Sequence, residues 1–309
     1  MHRPFRDYSL LVLLAIIWGG AFSLIKIAVG SVPPVTVATA RIVLAAGILY
    51  LVMRAVGERL PDFSSRAGRR SWAHFMAVGM LGNGLPFTLV SWGETEVTSS
   101  LAAILIGAMP VFTVTLARLT GTETRIGTGR LIGIGLGFAA LILLMGPAAL
   151  GEIGGRALAA QLAIAGAAAS YAATAVYAKR LSLSVPTTTL AAGTMIACAA
   201  VMGPVALIVD TPWRLSPDAG AVASIAALAV FPTALASIVY FRLLVSAGPT
   251  FASMINYLIP AFGAVVGIVW LGESIGTAEI AALVLILSAI ALVRNPVSRG
   301  SGTGAGGGR

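Results

Sequence analysis

The chain has 309 residues, of which 58% are hydrophobic and only 10% are charged, and its mean hydropathy is +0.96. Soluble domains carry roughly 25% charged residues, so this composition excludes an ordinary soluble globular protein. The formal net charge of +9 would favour nucleic-acid binding in a soluble protein, but in a membrane protein it indicates orientation instead.

Ten apolar stretches follow one another along the chain. They are Tyr8–Val29, Pro34–Val56, Trp72–Trp92, Val97–Thr120, Thr128–Pro147, Ala157–Ala178, Thr187–Val209, Ala219–Phe241, Thr250–Leu271 and Gly276–Val293. Most are longer than the roughly 18 apolar residues that span a bilayer as a helix. The first stretch follows a basic start, as a signal peptide would, but its apolar core is too long for one. The pattern therefore predicts an all-α integral membrane protein with ten transmembrane helices.

The basic residues divide the connections into two classes. If the amino terminus is cytoplasmic, most of the 20 Lys and Arg residues lie in cytoplasmic connections, with a dense group between residues 54 and 70. The connections on the opposite side hold Arg156 and Arg214. This distribution follows the positive-inside rule, and it predicts a multi-pass protein of the cell (inner) membrane with both termini cytoplasmic. The Gly-rich segment 294–309 is expected to be a disordered cytoplasmic tail.

The second five stretches repeat landmarks of the first five in the same order. The shared landmarks are a Lys before Ser-Val-Pro, two prolines and a glutamate: Lys26, Ser31-Val32-Pro33, Pro86, Pro110 and Glu123, then Lys179, Ser184-Val185-Pro186, Pro232, Pro260 and Glu273. They predict a duplication into five-helix repeats at 8–147 and 157–293. Because five is an odd number, the second repeat must enter the membrane from the opposite side, as in many transporters.

The prolines and glycines of these stretches indicate where helices bend and where they pack. A proline inside a spanning helix frees a backbone carbonyl, and paired interruptions in two halves point to a transport site, although they can also serve only to shape the bundle. Close helix packing is favoured by glycines spaced four apart, which here are Gly129, Gly133, Gly137, Gly263 and Gly267. Glu123 and Glu273 are each expected to cap the helix that follows them.

Several short motifs spread through residues 8–293 resemble those of one known family. They are Trp18-Gly19-Gly20-Ala21-Phe22-Ser23, Ala40-Arg41-Ile42, Ala108-Met109-Pro110-Val111-Phe112, Asn256-Tyr257-Leu258-Ile259-Pro260-Ala261 and Leu271-Gly272-Glu273. Together with ten predicted helices, they resemble the EamA family of the drug/metabolite transporter superfamily.

This resemblance implies a fold similar to that of YddG-type amino-acid exporters. It implies ten helices in two inverted five-helix repeats, with a central cavity lined by helices one, three, four, six, eight and nine. It also implies export of amino acids or related metabolites. The two halves differ at two positions, where Tyr171 corresponds to Trp18 and Thr194 to Arg41. Any role of Trp18 or Arg41 is therefore expected in the first half only, without a counterpart in the second.

Titratable groups are informative here through their positions. The acidic residues all fall at predicted helix ends or in loops, and His2 and His74 lie near the cytoplasmic side. A proton-driven antiporter needs a titratable group that alternates between the two faces, and no carboxylate is predicted at the midplane. The sequence therefore favours facilitated export down a gradient, by alternating access.

Arg41 is the predicted cavity residue with the most distinctive chemistry. It lies about 10 Å along the second helix from Pro34, at roughly 1.5 Å per residue. Its guanidinium could bind a substrate carboxylate. Alternatively, it could pair with Glu94 or Glu96 and hold helices together.

The remaining cavity candidates are polar or aromatic side chains and prolines in paired helices. Buried amides need partners in protein or water, and Trp and Tyr combine an apolar body with a polar tip. The predicted substrate-binding residues are Trp18, Ser23, Arg41, Asn83, Pro110, Tyr171, Asn256, Tyr257 and Pro260.

Three classes of function compete for this pattern. A membrane-embedded enzyme needs reactive groups at depth, and neither H-E-x-x-H nor a Ser with a His is present in the spans, so no catalytic residue, metal or cofactor is predicted. A scaffold needs no duplicated kinks. A small-solute exporter fits best, and a drug or nucleotide-sugar carrier of the same fold is the alternative. The expected partners are a small-molecule substrate and membrane lipid, not nucleic acid, and the chain acts as a monomer or homodimer.

Overall fold

The computed structural model describes residues 5–121, 128–151, 155–179, 185–247 and 254–294. Ten helical segments lie in these ranges: α1 (Phe5–Ala28), α2 (Pro34–Ala55), α3 (Arg66–Gly93), α4 (Ser99–Leu119), α5 (Thr128–Gly151), α6 (Arg156–Lys179), α7 (Thr187–Val209), α8 (219–247), α9 (Ile255–Leu271) and α10 (Thr277–Arg294). A short 3₁₀ turn, Pro212–Arg214, precedes α8. No strand is found within the described ranges.

Each predicted apolar stretch coincides with one of these helices. Seven helices are long and apolar enough to cross a membrane, and the apolar parts of α5, α9 and α10 are shorter helices, Leu131–Leu144, Leu258–Leu271 and Thr277–Leu292. The prediction of an all-helical membrane protein is thus confirmed. The arrangement as two inverted five-helix repeats stays a prediction. Glu123 and most of the predicted tail, residues 295–309, lie outside the described residues.

Helices α3 and α8 extend furthest beyond the predicted stretches, because apolarity marks only the part of a helix that faces lipid or core. Helix α3 begins at Arg66 instead of Trp72, and the Ser65 hydroxyl accepts a hydrogen bond from the Gly68 amide at 2.9 Å. This N-cap starts the helix within a polar segment. Helix α8 continues through Phe241 to Ala247.

Both α3 and α8 contain a π-helical segment in the neighbourhood of a proline. Met80–Gly84 lies just before Pro86, and Ala229–Leu235 contains Pro232. Proline has no N–H to continue the α-helical hydrogen bonds, so wider turns form there. The paired prolines predicted from the sequence therefore correspond to paired local distortions.

Helices α2 and α7 are antiparallel, and each caps the other. The Asp210 carboxylate, just after α7, accepts hydrogen bonds from the amide and hydroxyl of Thr36 at the start of α2, at 2.7 and 2.8 Å. The Glu58 carboxylate, just after α2, does the same for Thr189 at the start of α7, at 3.0 and 2.8 Å. Carboxylates at helix N-termini satisfy free amides and complement the helix dipole.

Following the orientation predicted from the sequence, we call the end of the bundle where α1 and α3 end and α2 and α4 begin the outer end. The opposite end is the inner end. A large hydrophobic cluster that includes Ala28, Val32 and Val97 fills the outer end. A second cluster, including Leu11 and Leu243, joins α1, α8 and α9 towards the inner end. Corresponding helices of the two halves pack in the same way. Helix α1 packs on α9, and its counterpart α6 packs on α4. Helix α3 packs on α6, and its counterpart α8 packs on α1.

Helix α1 packs tightly against α9 at Gly19. A Cβ atom added there would lie 2.8 Å from the Gly263 nitrogen of α9, and one added at Gly263 would lie 2.4 Å from the Ala103 Cβ of α4. Gly267 is equally tight against Ser100. The small-residue spacing of the ninth stretch therefore marks a tightly packed three-helix contact.

Gly19 and Gly20 form a matched pair for testing this contact, because nothing lies within 4 Å of a Cβ added at Gly20. We expect Gly19→Ala to destabilise the protein by about 1–3 kcal/mol, since α1 and α9 must separate. Gly20→Ala should be neutral or stabilise by up to about 1 kcal/mol through helix propensity. Thermal unfolding in detergent measures both. Equal midpoints for the two variants would contradict the contact.

Candidate functional site

A cavity of about 830 Å³ lies among the helices. Every helix predicted to line it contributes a residue, for example Trp18 from α1, Asn83 from α3, Tyr171 from α6 and Asn256 from α9. Helices α2, α7 and α10 also contribute, through Arg41, Met195 and Ile290. Arg41 is the only charged residue in the described lining.

Arg41 is buried, and no acid among the described residues forms an ion pair with it. Its Nε donates a hydrogen bond to the Thr233 hydroxyl at 2.6 Å, and its guanidinium carbon lies 3.8 Å from the ring centroid of Phe87. Glu96 forms its ion pair with Arg156 instead, at 3.6 Å. Both side-chain oxygens of Glu94 lack a hydrogen-bond partner among the described residues, so the alternative hypothesis of a pair from Arg41 to Glu94 or Glu96 is wrong for this structure.

The terminal amino groups of Arg41 have no protein hydrogen bond within the described side chains, although the residue lines the cavity. Phe87 supports the flat face of the guanidinium by a cation–π contact, and Thr233 fixes its Nε edge. Two N–H-bearing nitrogens thus remain to receive an anion. A guanidinium held in this way is well shaped for bidentate binding of a carboxylate.

Thr233 is held by the π-helical segment of α8. Its hydroxyl donates to the Leu228 carbonyl at 2.7 Å while accepting from Arg41. The sequence analysis missed Thr233, although its position directly after Pro232 was a usable signal. Asn83 occupies the corresponding π-helical segment of α3 and also lines the cavity.

Each π-helical segment receives a side-chain donor from the first helix of the other half. Trp18 Nε1 donates to the Pro232 carbonyl at 2.9 Å, and the Ser170 hydroxyl donates to the Leu81 carbonyl at 2.6 Å. Carbonyls freed by a helix distortion need such partners within a membrane. Trp18 also meets Tyr240, with ring centroids 5.5 Å apart. Tyr240, which is not among the predicted site residues, also lines the cavity.

Helices α4 and α9 meet at their prolines. Helix α4 is interrupted at Gly107 and Ala108, and Pro110 lies in the first turn of its second part. A Cβ added at Gly107 would lie 2.6 Å from Pro260 Cγ of α9. Pro110 and Pro260 both line the cavity. Helices α4 and α9 therefore contact each other at the cavity wall.

The other predicted site residues are placed as follows. The side chains of Asn83 and Asn256 make no protein hydrogen bond within the described residues, so both amides are available in the cavity lining. The side chain of Tyr257 lies outside the described residues. Ser23 is fully buried away from the lining, where its hydroxyl lies 3.4 Å from that of Ser99 in α4. The structure thus gathers most of the candidates around one cavity, and contact with a substrate stays a prediction.

Glu273 caps a helix at the outer end, but a different helix from the one predicted. Its carboxylate accepts hydrogen bonds from the amides of Ser99 and Ser100, at 2.8 and 2.9 Å, and from the Ser100 hydroxyl. It therefore caps α4, in the other half, rather than the following helix α10. Burial raises the pKa of Glu273, but the hydrogen bonds from Ser100 and Ser99 outweigh it, and the net pKa lies below the ordinary value.

No cluster of three or more His, Cys, Asp or Glu residues that could hold a metal ion occurs in the described part of the chain. The one cysteine, Cys198, is buried in α7. The charged chemistry of the cavity is therefore that of Arg41.

Comparison with known proteins agrees with this architecture. The sequence profile of the EamA-like transporter family matches residues 6–146 and again residues 158–295. The inner membrane transporter YedA of Escherichia coli strain K12, whose description calls it uncharacterized, is 30% identical over 294 residues, which are 93% of this chain and 90% of YedA. The transporter YvbV of Bacillus subtilis, described in the same way, is 27% identical over 293 residues, covering 93% and 91% of the two chains.

A solved crystal structure shares the fold. It aligns with a TM-score of 0.63 over 94% of this chain and 96% of its own, at 18% sequence identity. Two profile matches cover nearly the whole sequence, and a relative at 30% identity aligns along almost its full length. The chain therefore belongs to the EamA-like transporter family.

Proposed function

We propose that this multi-pass membrane protein exports amino acids or related small metabolites that carry a carboxylate, by alternating access. The observation that carries the proposal is Arg41: a single buried cation on the cavity wall, fixed on one edge, with its terminal amino groups unoccupied by described protein groups. A buried charge in a membrane protein is costly unless it has a function or a partner. A substrate carboxylate would be that partner.

The rest of the lining favours an apolar or aromatic substrate body. Trp18, Phe22, Phe87 and Tyr240 contribute rings, and most of the other lining residues are aliphatic. The amides of Asn83 and Asn256 can bind a polar substituent such as an amino group. A carboxylate at one end and an apolar side chain at the other describe a hydrophobic amino acid.

Alternating access requires two halves that can rock about the cavity. Several contacts support an inverted relation between the halves. Equivalent helices α2 and α7 are antiparallel, as their reciprocal caps require. Helices α4 and α9 are also antiparallel, since the start of α4 binds Glu273 after the end of α9. The two separate family matches divide the chain between the same halves.

The alternative within the same fold is a carrier of drugs or nucleotide sugars. The aromatic lining would suit a drug-like cation, but the charge of Arg41 opposes one. A nucleotide sugar would need its phosphates neutralised, and Arg41 is the only cation of the described lining. The charge of the cavity thus favours a small monocarboxylate over both.

A counterflow screen in proteoliposomes tests the proposal. We expect exchange of labelled hydrophobic amino acids, and no exchange of the matched amines that lack the carboxylate, because only the acids can bind Arg41. Running the screen with and without a pH gradient reports coupling as well. Exchange of amines as fast as that of amino acids would contradict carboxylate recognition, and exchange of neither would overturn amino-acid export.

A further inference from the structure

Glu94 is a carboxylate at the outer end that has no visible partner. It directly follows α3, its exposed fraction is 0%, and both side-chain oxygens lack a hydrogen bond among the described residues. No cation in the described chain comes within the 4.0 Å that defines an ion pair with it. The sequence places this residue in a loop, where a carboxylate would ordinarily be hydrated.

The packing around Glu94 explains its burial. A Cβ added at the preceding Gly93 would lie 2.4 Å from Ile164 Cγ1, so the end of α3 is pressed against α6. Lys26 of α1 donates to the main-chain carbonyls of Glu94 and Val97, at 2.6 and 2.8 Å. These contacts join α1, α3, α4 and α6 at the outer end.

Three charged groups act on the Glu94 carboxylate from the surrounding elements. They are Lys26 of α1, Arg41 of α2 and Glu273 after α9. On α6, the uncharged Gln161 has a buried Oε1 that also lacks a hydrogen-bond partner among the described residues. Burial is the largest influence and raises the pKa of Glu94 well above its ordinary value; Lys26 and Arg41 lower it, and Glu273 raises it. Burial without a hydrogen-bond partner therefore shifts the balance towards the neutral acid in this closed outer end.

We propose that Glu94 is a proton-binding site, occupied when the outer end is closed and vacated when that end opens to water. The proposal rests on the proposed function, because alternating access supplies the opening. An ionised, unpaired carboxylate in a dry site costs desolvation free energy, whereas in water the same group is stabilised by hydration. Separation of α3 from α6 and α1 would expose Glu94 to solvent and release its proton on the outer side.

The direction of the pH dependence follows from this linkage. Between the ordinary pKa of the hydrated acid and its raised value in the closed form, closing takes up one proton. In that window the ratio of open to closed molecules rises about tenfold for each unit of external pH. Acid on the outer side thus holds the outer end closed. The expectation of facilitated transport was based on the lack of a carboxylate at the midplane. Glu94 lies at the outer end, outside the spanning segment, and its burial gives that end a titratable group.

A thiol-labelling experiment follows this opening without any substrate. In a Cys198→Ala background, Ile25→Cys provides a reporter that is buried at the outer end and lines the cavity. The probe is a membrane-impermeant thiol reagent added outside right-side-out membrane vesicles. Ser274→Cys, in an exposed connection at the same end, normalises the intrinsic pH dependence of thiol reactivity.

We expect the normalised labelling rate at Ile25→Cys to rise by up to about tenfold per unit as external pH increases. Glu94→Gln should remove this dependence and label slowly throughout, because the amide mimics the neutral acid. Glu94→Asp should keep the dependence, since it still titrates. Glu96→Gln is the matched control: it lies in the same connection, is exposed and pairs with Arg156, so it should behave like the parent.

Persistence of the pH dependence in Glu94→Gln would overturn the proton site, as would its loss in both Glu94→Gln and Glu94→Asp, which would show a packing effect. Failure of the counterflow screen is a separate result. It would overturn amino-acid export, while the labelling assay, which contains no substrate, would still decide the role of Glu94.

Discussion

Arg41→Ala should weaken exchange of carboxylate substrates by roughly 10- to 150-fold, the equivalent of about 1.5–3 kcal/mol for a charged hydrogen-bonding group. The substitution removes the only charge of the described lining. The Thr233 hydroxyl keeps its hydrogen bond to the Leu228 carbonyl, so the substitution does not leave it without a partner. The measurement is concentration-dependent counterflow in proteoliposomes.

Two further variants separate recognition from structure. Arg41→Lys keeps the charge but loses the planar fork and its stacking on Phe87, so it should retain only part of the affinity. Arg214→Ala removes an exposed arginine outside the cavity and should leave exchange unchanged. If Arg41 acted only in folding, Arg41→Ala would lower the thermal unfolding midpoint in detergent together with the exchange rate. Loss of amino-acid exchange at an unchanged unfolding midpoint distinguishes substrate recognition.

The membrane-spanning helices were predictable because the hydrophobicity of each residue follows directly from the sequence. A helix in lipid satisfies its own backbone hydrogen bonds, so a long apolar stretch is sufficient to identify it. Its ends are less predictable, as at Arg66, where a serine cap starts α3 well before the apolar residues. The helix distortions near Pro86 and Pro232 were also predictable, since the position of each proline, which lacks a backbone N–H, is given by the sequence.

Partners across the two halves were not predictable from spacing. Glu273 was expected to cap the helix next to it in the chain, and it caps α4 instead. The rule that a carboxylate favours a helix N-terminus was sound, but the choice of helix depends on tertiary packing. Glu94 illustrates the same limit. Position in a loop indicates exposure, yet the tight contact of Gly93 with α6 buries the residue that follows.

The predicted cavity residues show the same limit: their residue types were informative, but their orientation depends on tertiary packing. Trp18, Asn83 and Asn256 were suggested by residue type within apolar helices, and they line the cavity. Ser23 has a similar polar character, but it lies on the face of α1 that meets Ser99. Which face of a helix is turned towards the cavity depends on how the neighbouring helices pack, and α1 is apolar on all sides.

Glu273→Ala should destabilise the protein by about 2–4 kcal/mol. The carboxylate accepts two backbone amides and one hydroxyl at the start of α4, and loss of an ordinary N-cap alone costs about 0.5–2 kcal/mol. Bonds to an ionised acceptor are roughly twice as strong as neutral ones. The measurement is thermal unfolding of the detergent-solubilised protein at neutral pH.

Ser100→Ala and Ser274→Ala complete this test. Ser100→Ala removes one donor to Glu273 and should cost about 1 kcal/mol, whereas Ser274→Ala alters an exposed neighbour and should cost nothing measurable. Because the pKa of Glu273 is lowered in the folded protein, its stabilisation is present above the ordinary value of 4.5 and is lost as pH falls below it. The difference between the parent and Glu273→Ala should therefore shrink in acid. A difference that grew in acid, or an unfolding midpoint for Glu273→Ala equal to that of Ser274→Ala, would show that this carboxylate does not hold α4 to the end of α9.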